Sequence, residues 1–135
     1  MVQGPLALDW SRRRYGVFPG VECGSINDSA GHRPDSRRFP LWVSPSICVD
    51  GRPDWIFVKA HTHGAHERNA DLLLGSAMRR FHTEMLEQVA KAGLHLHYVT
   101  VREMANIVRA AEEGAEGNPG PYRDYWLPPP CRVTN

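Results

Sequence analysis

The sequence has few cysteines and no long hydrophobic run. Cys23, Cys48 and Cys131 lie far apart and form no CxxC motif. This spacing argues against a disulfide framework or a zinc knuckle and favours free thiols in a reducing compartment. No apolar segment approaches the roughly 18 residues of a membrane span, and no basic start followed by an apolar run marks a signal peptide. We therefore expect no membrane span and, for the chain made as it stands, a cytoplasmic location.

The chain also has no large excess of positive or negative charge. Sixteen Lys and Arg residues balance fifteen Asp and Glu residues, which leaves a formal net charge of +1 over 135 residues. Such a chain has no overall field that would attract nucleic acid or a membrane surface, so neither is an expected partner. Arginines are nevertheless concentrated early, at Arg12, Arg13, Arg14, Arg33, Arg37 and Arg38. A solvated loop face and a contact for an anionic polymer both fit this concentration.

Two segments in the second half of the chain have the pattern of strands. Residues 55–60 include Ile56, Phe57 and Val58 in a row, and such β-branched and aromatic residues are typical of a buried strand. Residues 94–99 alternate Leu or Tyr with His or Val, which is the period of a strand with two different faces.

Each predicted strand is followed by a helix pattern. Apolar residues recur at spacings of three and four over 76–92, as on one face of an amphipathic helix. Thr100 and Glu103 have the spacing of a capping box and predict a second helix over 101–113. The alternation predicts a βαβα unit over 51–114, with parallel strands and a right-handed crossover.

The flanking segments have weaker patterns. Residues 1–50 are predicted to be loop-rich, with short strands at 5–8 and in the region of 41–43 and 47–49. Residues 115–135 are rich in glycine and proline and predict an extended tail. The chain is therefore expected to form a single partial α/β domain.

Three of the seven histidines, His61, His63 and His66, follow the predicted strand 55–60. Functional sites in parallel α/β folds are built at this carboxyl end. His61 and His63 are two residues apart, so on an extended chain they point the same way. Imidazole serves as a metal ligand or as an acid/base near neutral pH. A metal role, an acid/base or substrate-contact role, and a structural or solvent-exposed role all remain open.

Charged residues flank the histidines on both sides. Lys59 precedes His61 by two, and its side chain can face the same pocket. The polar stretch 67–71 is expected to be a solvated loop, in which Glu67 or Asp71 could orient a histidine through its second ring nitrogen. We take Lys59, His66 and Arg68 as the candidate substrate-binding residues.

Two motifs in this half resemble a known family. "WIFVKAHTHGAHERN", an amphipathic helix, and then "KAGLHLHYVTVREMANIV" resemble the C-terminal part of polysaccharide deacetylase-like proteins with the NodB-type fold. The opening "QGPLALDWSRRRYG" and the tail "GNPGPYRDYWLPPP" look like a subgroup associated with surface polysaccharide gene clusters. The resemblance covers residues 1–130 and is most specific over 55–108.

This resemblance implies a distorted (β/α) barrel that removes N- or O-acetyl groups from sugars by metal-dependent hydrolysis. In that family a zinc-type divalent metal is held by an aspartate and two histidines from early strands, and a second aspartate acts as base. A histidine from a late strand is the general acid. His61 or His63 matches this late-strand position, and we favour His61 because it directly ends the predicted strand.

The early motifs of the family have no counterpart in this sequence. It contains no Asp-Asp pair, and no two histidines are four residues apart. We therefore expect the chain to be the C-terminal portion of a deacetylase-like esterase acting on surface or exopolysaccharide. It would be inactive alone and would lack the N-terminal barrel portion with the metal ligands. No metal ligand is assigned to this chain.

Two other functions remain open. The first is a non-catalytic remnant that binds a carbohydrate or a protein partner through the arginine-rich loop and the aromatic tail. The second is a metal-dependent hydrolase of the amidohydrolase or polymerase-histidinol-phosphatase type, in which an HxH motif supplies metal ligands. In those enzymes the HxH ends the first strand of the barrel, and an aspartate takes the place of Lys59.

Overall fold

A computed structural model of the chain describes residues 2–63 and 67–130. These residues form a small mixed α/β structure with a two-stranded sheet and four α-helices. They divide into two compact units, one within 1–47 and 58–96 and the other within 48–57 and 97–135. None of the helices in the described ranges has the length and hydropathy that a bilayer crossing requires.

The first unit begins with an antiparallel hairpin of β1, Ala7–Arg14, and β2, Phe18–Glu22. The loop between the strands has three residues, 15–17, and two of them, Tyr15 and Gly16, have positive φ, 52° and 72°. Three-residue hairpin loops commonly include a residue in this left-handed region. The sequence predicted only short strands within a long loop here. The hairpin is longer than predicted because β1 continues through the arginines, past a bulge that follows Asp9.

The hairpin buries its polar face and exposes its apolar face. Asp9 and Glu22 are buried. The exposed apolar residues on the opposite side are Leu6, Leu8, Trp10 and Val21. This is the reverse of the usual pattern for a sheet with one solvated face, so the hairpin depends on its charged groups being paired inside the unit.

Residues 41–43 are helical, and the strand predicted there is wrong. A 3-10 turn at Ser36–Arg38 leads directly into α1, Phe39–Val43. Asp35 caps the turn by accepting a hydrogen bond from the Arg37 N–H, and Pro40 lies in the first turn of the helix, where its fixed φ is favourable.

Two further helices complete the first unit, α2 at Glu67–Leu74 and α3 at Ser76–Lys91. Gly75, rather than the serine after it, is the N-cap of α3. A Cβ at Gly75 would lie 2.1 Å from the Asp71 carbonyl oxygen, so a side chain does not fit between these two helices.

The predicted apolar face of α3 is confirmed. Phe81, Met85 and Val89 are each 4 % exposed. They form one core cluster with Ile26, Phe39 and Trp42, and Met78 and Val58 pack against it. On the other side of α3, Arg79, Arg80 and Glu87 are exposed, whereas Glu84 is half-buried and accepts a hydrogen bond from the Ser36 hydroxyl.

The second unit is built on α4, Val101–Glu112. The predicted capping box is confirmed: Thr100 Oγ1 accepts from the Glu103 N–H, and the Glu103 carboxylate accepts from the Thr100 N–H. The predicted tail is not extended throughout, because Gly120–Asp124 form a 3-10 helix that contacts α4.

Neither segment predicted as a strand in the βαβα unit, 55–60 or 94–99, is a strand. The helices predicted after them are present. A strand is defined by hydrogen bonds to a neighbour, and the described residues supply such bonds only at His61, just past the first segment. The parallel pairing and the partial barrel therefore stay predictions.

Candidate functional site

The backbone of His61 is held on both sides by one neighbouring segment. Its N–H donates to the Gly24 carbonyl at 2.9 Å, and its carbonyl accepts from the Ile26 N–H at 2.8 Å. The two bonds form a parallel bridge between His61 and Ser25. Just before the histidine, Val58 packs against the apolar core. These contacts fix where the chain emerges from the core.

Gly24 allows this close pairing. Its φ is +74°, and a Cβ there would lie 2.8 Å from the Lys59 carbonyl oxygen and 2.9 Å from Pro5 Cδ. A side chain would be strained in this conformation and would also clash with backbone. Gly24 is therefore required for the segment 24–26 to reach His61, a role that the sequence alone did not indicate.

The side chains of His61 and His63 are exposed. Their ring centroids are 6.2 Å apart and the ring planes meet at 84°, so the rings lie edge to face. His61 also borders a shallow depression of about 190 Å³. Its lining is mostly apolar and comprises Ile26, Ala60, His61, Thr62, Leu73 and Met78. An accessible imidazole beside an apolar floor can exchange a proton with a group bound in that depression.

The other predicted site residues fall in different places. The Lys59 side chain is exposed. His66 lies outside the described residues. Arg68 belongs to α2, but its side chain is also outside the described part of the chain. The structure therefore brings His61 and His63 together and leaves the predicted roles of Lys59, His66 and Arg68 as predictions.

Sequence reasoning missed Asn69. The stretch 67–71 was expected to be a solvated loop, which is wrong: it is the first part of α2, and Asn69 is buried. Its side chain accepts a hydrogen bond from the Asp28 N–H at 3.2 Å and donates to the His63 carbonyl at 3.5 Å. The apolar Leu72 and Leu73 that follow were the available signal for an amphipathic helix.

The buried carboxylate of Asp9 is paired with residues close to it in sequence. It accepts hydrogen bonds from the Ser11 N–H, the Ser11 hydroxyl and Arg12 Nε. Burial raises the pKa of Asp9, but these hydrogen bonds and the Arg12 charge outweigh burial and leave the pKa lowered. Asp9 is thus a charged structural group on the inner face of the hairpin.

The described residues do not fit a catalytic zinc site on their own. Such a site usually takes three protein ligands and a water. His61 and His63 could offer two, yet within 2–63 and 67–130 no three His, Cys, Asp or Glu side chains gather in ligand geometry. The chemistry considered below for this chain therefore concerns its own imidazole groups.

Comparisons of the chain with family models, with curated proteins and with solved structures give no match. The family resemblance drawn from the two motifs around His61 and Thr100 therefore stays a prediction.

Proposed function

We propose that this chain is the C-terminal portion of a polysaccharide deacetylase-like carbohydrate esterase, and that His61 is its general acid. One observation carries the proposal: the His61 backbone is fixed by two hydrogen bonds in a parallel bridge, while its ring is exposed beside a depression. A general acid needs this combination of a fixed position and an accessible N–H.

The proposed chemistry is proton delivery to a leaving group. When water attacks the acetyl carbon of an N- or O-acetyl sugar, the bond from that carbon to the sugar nitrogen or oxygen breaks. The sugar leaves with an electron pair and takes a proton from the His61 imidazolium. The attacking water ends as part of acetate and releases two protons, one of which restores the imidazolium while the other passes to the solvent. A positioned acid contributes about 10²–10⁴-fold to such a reaction. His63, with its ring 6.2 Å away, is proposed to contact the sugar, as are Lys59, His66 and Arg68.

Proton delivery is only part of acetyl hydrolysis, because the attacking water must also be activated. The described residues do not provide a metal site for that step. We therefore expect no acetate above the blank when the purified chain is incubated with an acetylated chitooligosaccharide and zinc, cobalt or nickel. Metal-dependent release that His61→Ala or His63→Ala abolishes would overturn this proposal and favour the HxH hydrolase.

Binding provides the positive test. The chain is titrated with the same oligosaccharide while the imidazole signals are followed by NMR. We expect the signals of His61 and His63 to shift saturably, and the exposed His95 to serve as an unshifted internal control. Equal and non-saturating shifts at all three histidines would count against a sugar site at His61.

A second candidate is carbohydrate binding without catalysis. Trp126 is 69 % exposed and Trp10 is 59 % exposed, and exposed aromatic rings with a polar atom are common at binding surfaces. Under this alternative, the oligosaccharide would quench tryptophan fluorescence, Trp126→Ala or Trp10→Ala would remove the effect, and His61 would not respond.

A further inference from the structure

Arg38 lies among the early arginines that the sequence predicted as a solvated face or an anion contact, but it is buried, at 6 % exposure. An arginine side chain has five N–H groups, and all five of Arg38's have an acceptor. Nε and Nη2 donate to the two carboxylate oxygens of Glu22 at 2.8 and 2.6 Å. Nη2 also donates to the Ser25 carbonyl at 2.7 Å, and Nη1 to the His32 and Arg33 carbonyls at 3.2 and 3.1 Å.

Glu22 completes this arrangement. It is fully buried, and its Oε1 also accepts from the Gly24 N–H at 2.8 Å. Burial raises the pKa of Glu22. The hydrogen bonds from Arg38 and Gly24 and the Arg38 charge have the larger combined effect, so the pKa lies below its ordinary value. The bidentate pair is therefore charged at neutral pH, and such pairs combine strength with a fixed geometry.

The same two side chains hold the segment that contacts His61. Glu22 binds the N–H of Gly24, and Arg38 binds the carbonyl of Ser25. Two other backbone groups of this segment, the Gly24 carbonyl and the Ile26 N–H, pair with the His61 backbone. Residues 24–26 are thus bound by the buried ion pair on one side and by His61 on the other.

We propose that Arg38 is a positioning residue for His61, acting through residues 24–26 without contacting the histidine ring. That this positioning serves proton transfer rests on the function proposed above; the mechanical link itself does not. A lysine cannot replace the arginine, because a single ammonium group lacks the planar fork that reaches the Glu22 carboxylate and the Ser25 carbonyl together.

The test compares Arg38→Lys with Arg37→Lys, a matched control whose side chain is 88 % exposed. Amide hydrogen exchange is measured by NMR at His61 and Ile26, which carry the two bridging bonds, and at Val89 in the core of α3. Arg38→Lys should speed exchange about tenfold or more at His61 and Ile26, with a change of less than about twofold at Val89, since local opening needs no global unfolding. Arg37→Lys should change none of the three.

A merely structural role for Arg38 gives a different result. Exchange would then rise equally at His61, Ile26 and Val89, because all three would open by global unfolding. That outcome overturns the proposal, as does unchanged exchange at His61. Should Arg38→Lys fail to fold, Glu22→Gln decides in its place. This change weakens the pair but keeps the size of the side chain, so it should speed exchange at His61 and Ile26 about threefold more than at Val89, whose exchange follows only the loss of global stability.

The oligosaccharide titration separates this proposal from the proposed function. The His61 imidazole signals could stay unshifted by the sugar while Arg38→Lys speeds amide exchange at His61 and Ile26 but not at Val89. That result would contradict the esterase function and support the positioning role. The opposite result is a sugar-dependent shift at His61 that is the same in Arg38→Lys and the native chain, with no selective increase in amide exchange at His61 and Ile26. It would support the function and contradict the positioning role.

Discussion

The side chain of Asn106 hydrogen-bonds to both backbone polar groups of Leu127. Its Oδ1 accepts from the Leu127 N–H at 2.7 Å, and its Nδ2 donates to the Leu127 carbonyl at 2.8 Å. The same Nδ2 donates to the Arg123 carbonyl at 2.6 Å. Asn106 is fully buried on α4, and its amide holds the C-terminal segment to the helix together with Arg102, whose Nη1 donates to the same two carbonyls at 3.3 and 2.6 Å.

Replacing Asn106 should therefore destabilise the second unit. Asn106→Leu preserves the approximate size of the side chain but removes its hydrogen bonds. The Arg123 and Leu127 carbonyls keep Arg102 Nη1 as a donor, whereas the Leu127 N–H loses the Asn106 acceptor. A group left without a partner costs about 1–3 kcal/mol, and we expect a loss of that size in the free energy of unfolding. Urea denaturation followed by tryptophan fluorescence measures it. Glu112→Gln, an exposed change on the same helix, is the control, and equal midpoints for the two variants would contradict the prediction.

The core of the first unit should be sensitive to a cavity at Phe81. This side chain is 4 % exposed, and its ring centroid is 6.0 Å from that of Trp42. Phe81→Ala should cost about 3–5 kcal/mol, since removing a buried ring leaves a cavity that relaxes only in part. Thermal or urea unfolding provides the measurement. Leu86→Ala on the exposed side of the same helix should cost much less, and similar losses at both positions would show that the buried face is misassigned.

The start of α4 depends on Thr100. Thr100→Ala removes the acceptor for the Glu103 N–H and should cost about 1 kcal/mol, whereas Thr100→Ser, which keeps the oxygen, should cost less. The pKa of Glu103 is lowered chiefly by the hydrogen bond from the Thr100 N–H. An NMR titration should therefore show the pKa of Glu103 moving upward in Thr100→Ala if the box opens. An unchanged Glu103 titration together with unchanged stability would contradict the capping assignment.

The Glu22–Arg38 pair predicts a pH dependence with a definite sign. The pKa of Glu22 is lowered in the folded chain from its ordinary value of 4.5. The pair therefore stabilises the fold fully above that value, and this contribution is lost as the pH falls below it, through the folded pKa.

Glu22→Gln should accordingly be less stable than the native chain at neutral pH. The difference between their free energies of unfolding should become smaller as the pH falls toward about 3. Urea midpoints measured across this range provide the check. Glu87→Gln, an exposed change on α3, should leave the pH profile unchanged. A gap between Glu22→Gln and the native chain that stays constant with pH would rule out a charged Glu22 in the fold.

Local patterns predicted α3 and α4 but not α2. The apolar spacing at Phe81, Met85 and Val89 and the capping box at Thr100 involve residues close in sequence, and the structure confirms both. The position of the histidine cluster after the apolar run was also visible from the sequence, whereas the exposure of His61 and His63 was left open there.

Features that depend on long-range partners could not be predicted in this way. An arginine's exposure is decided by the acceptors that surround it, and those around Arg38 come from four other residues. The need for glycine at position 24 likewise arises only when the Lys59 carbonyl approaches it. Residues 55–60 have a strand composition, but a strand also needs a neighbour, and composition does not indicate whether one is present.

The buried arginine also has a consequence for the order of folding. All its acceptors precede it by at most sixteen residues in the chain, so the loop that must close is short and costs little entropy. His61 is added much later in the sequence and closes a larger loop onto Gly24 and Ile26. We therefore expect residues 24–26 to reach their folded conformation before His61 pairs with them. Variants of Arg38 should then slow refolding.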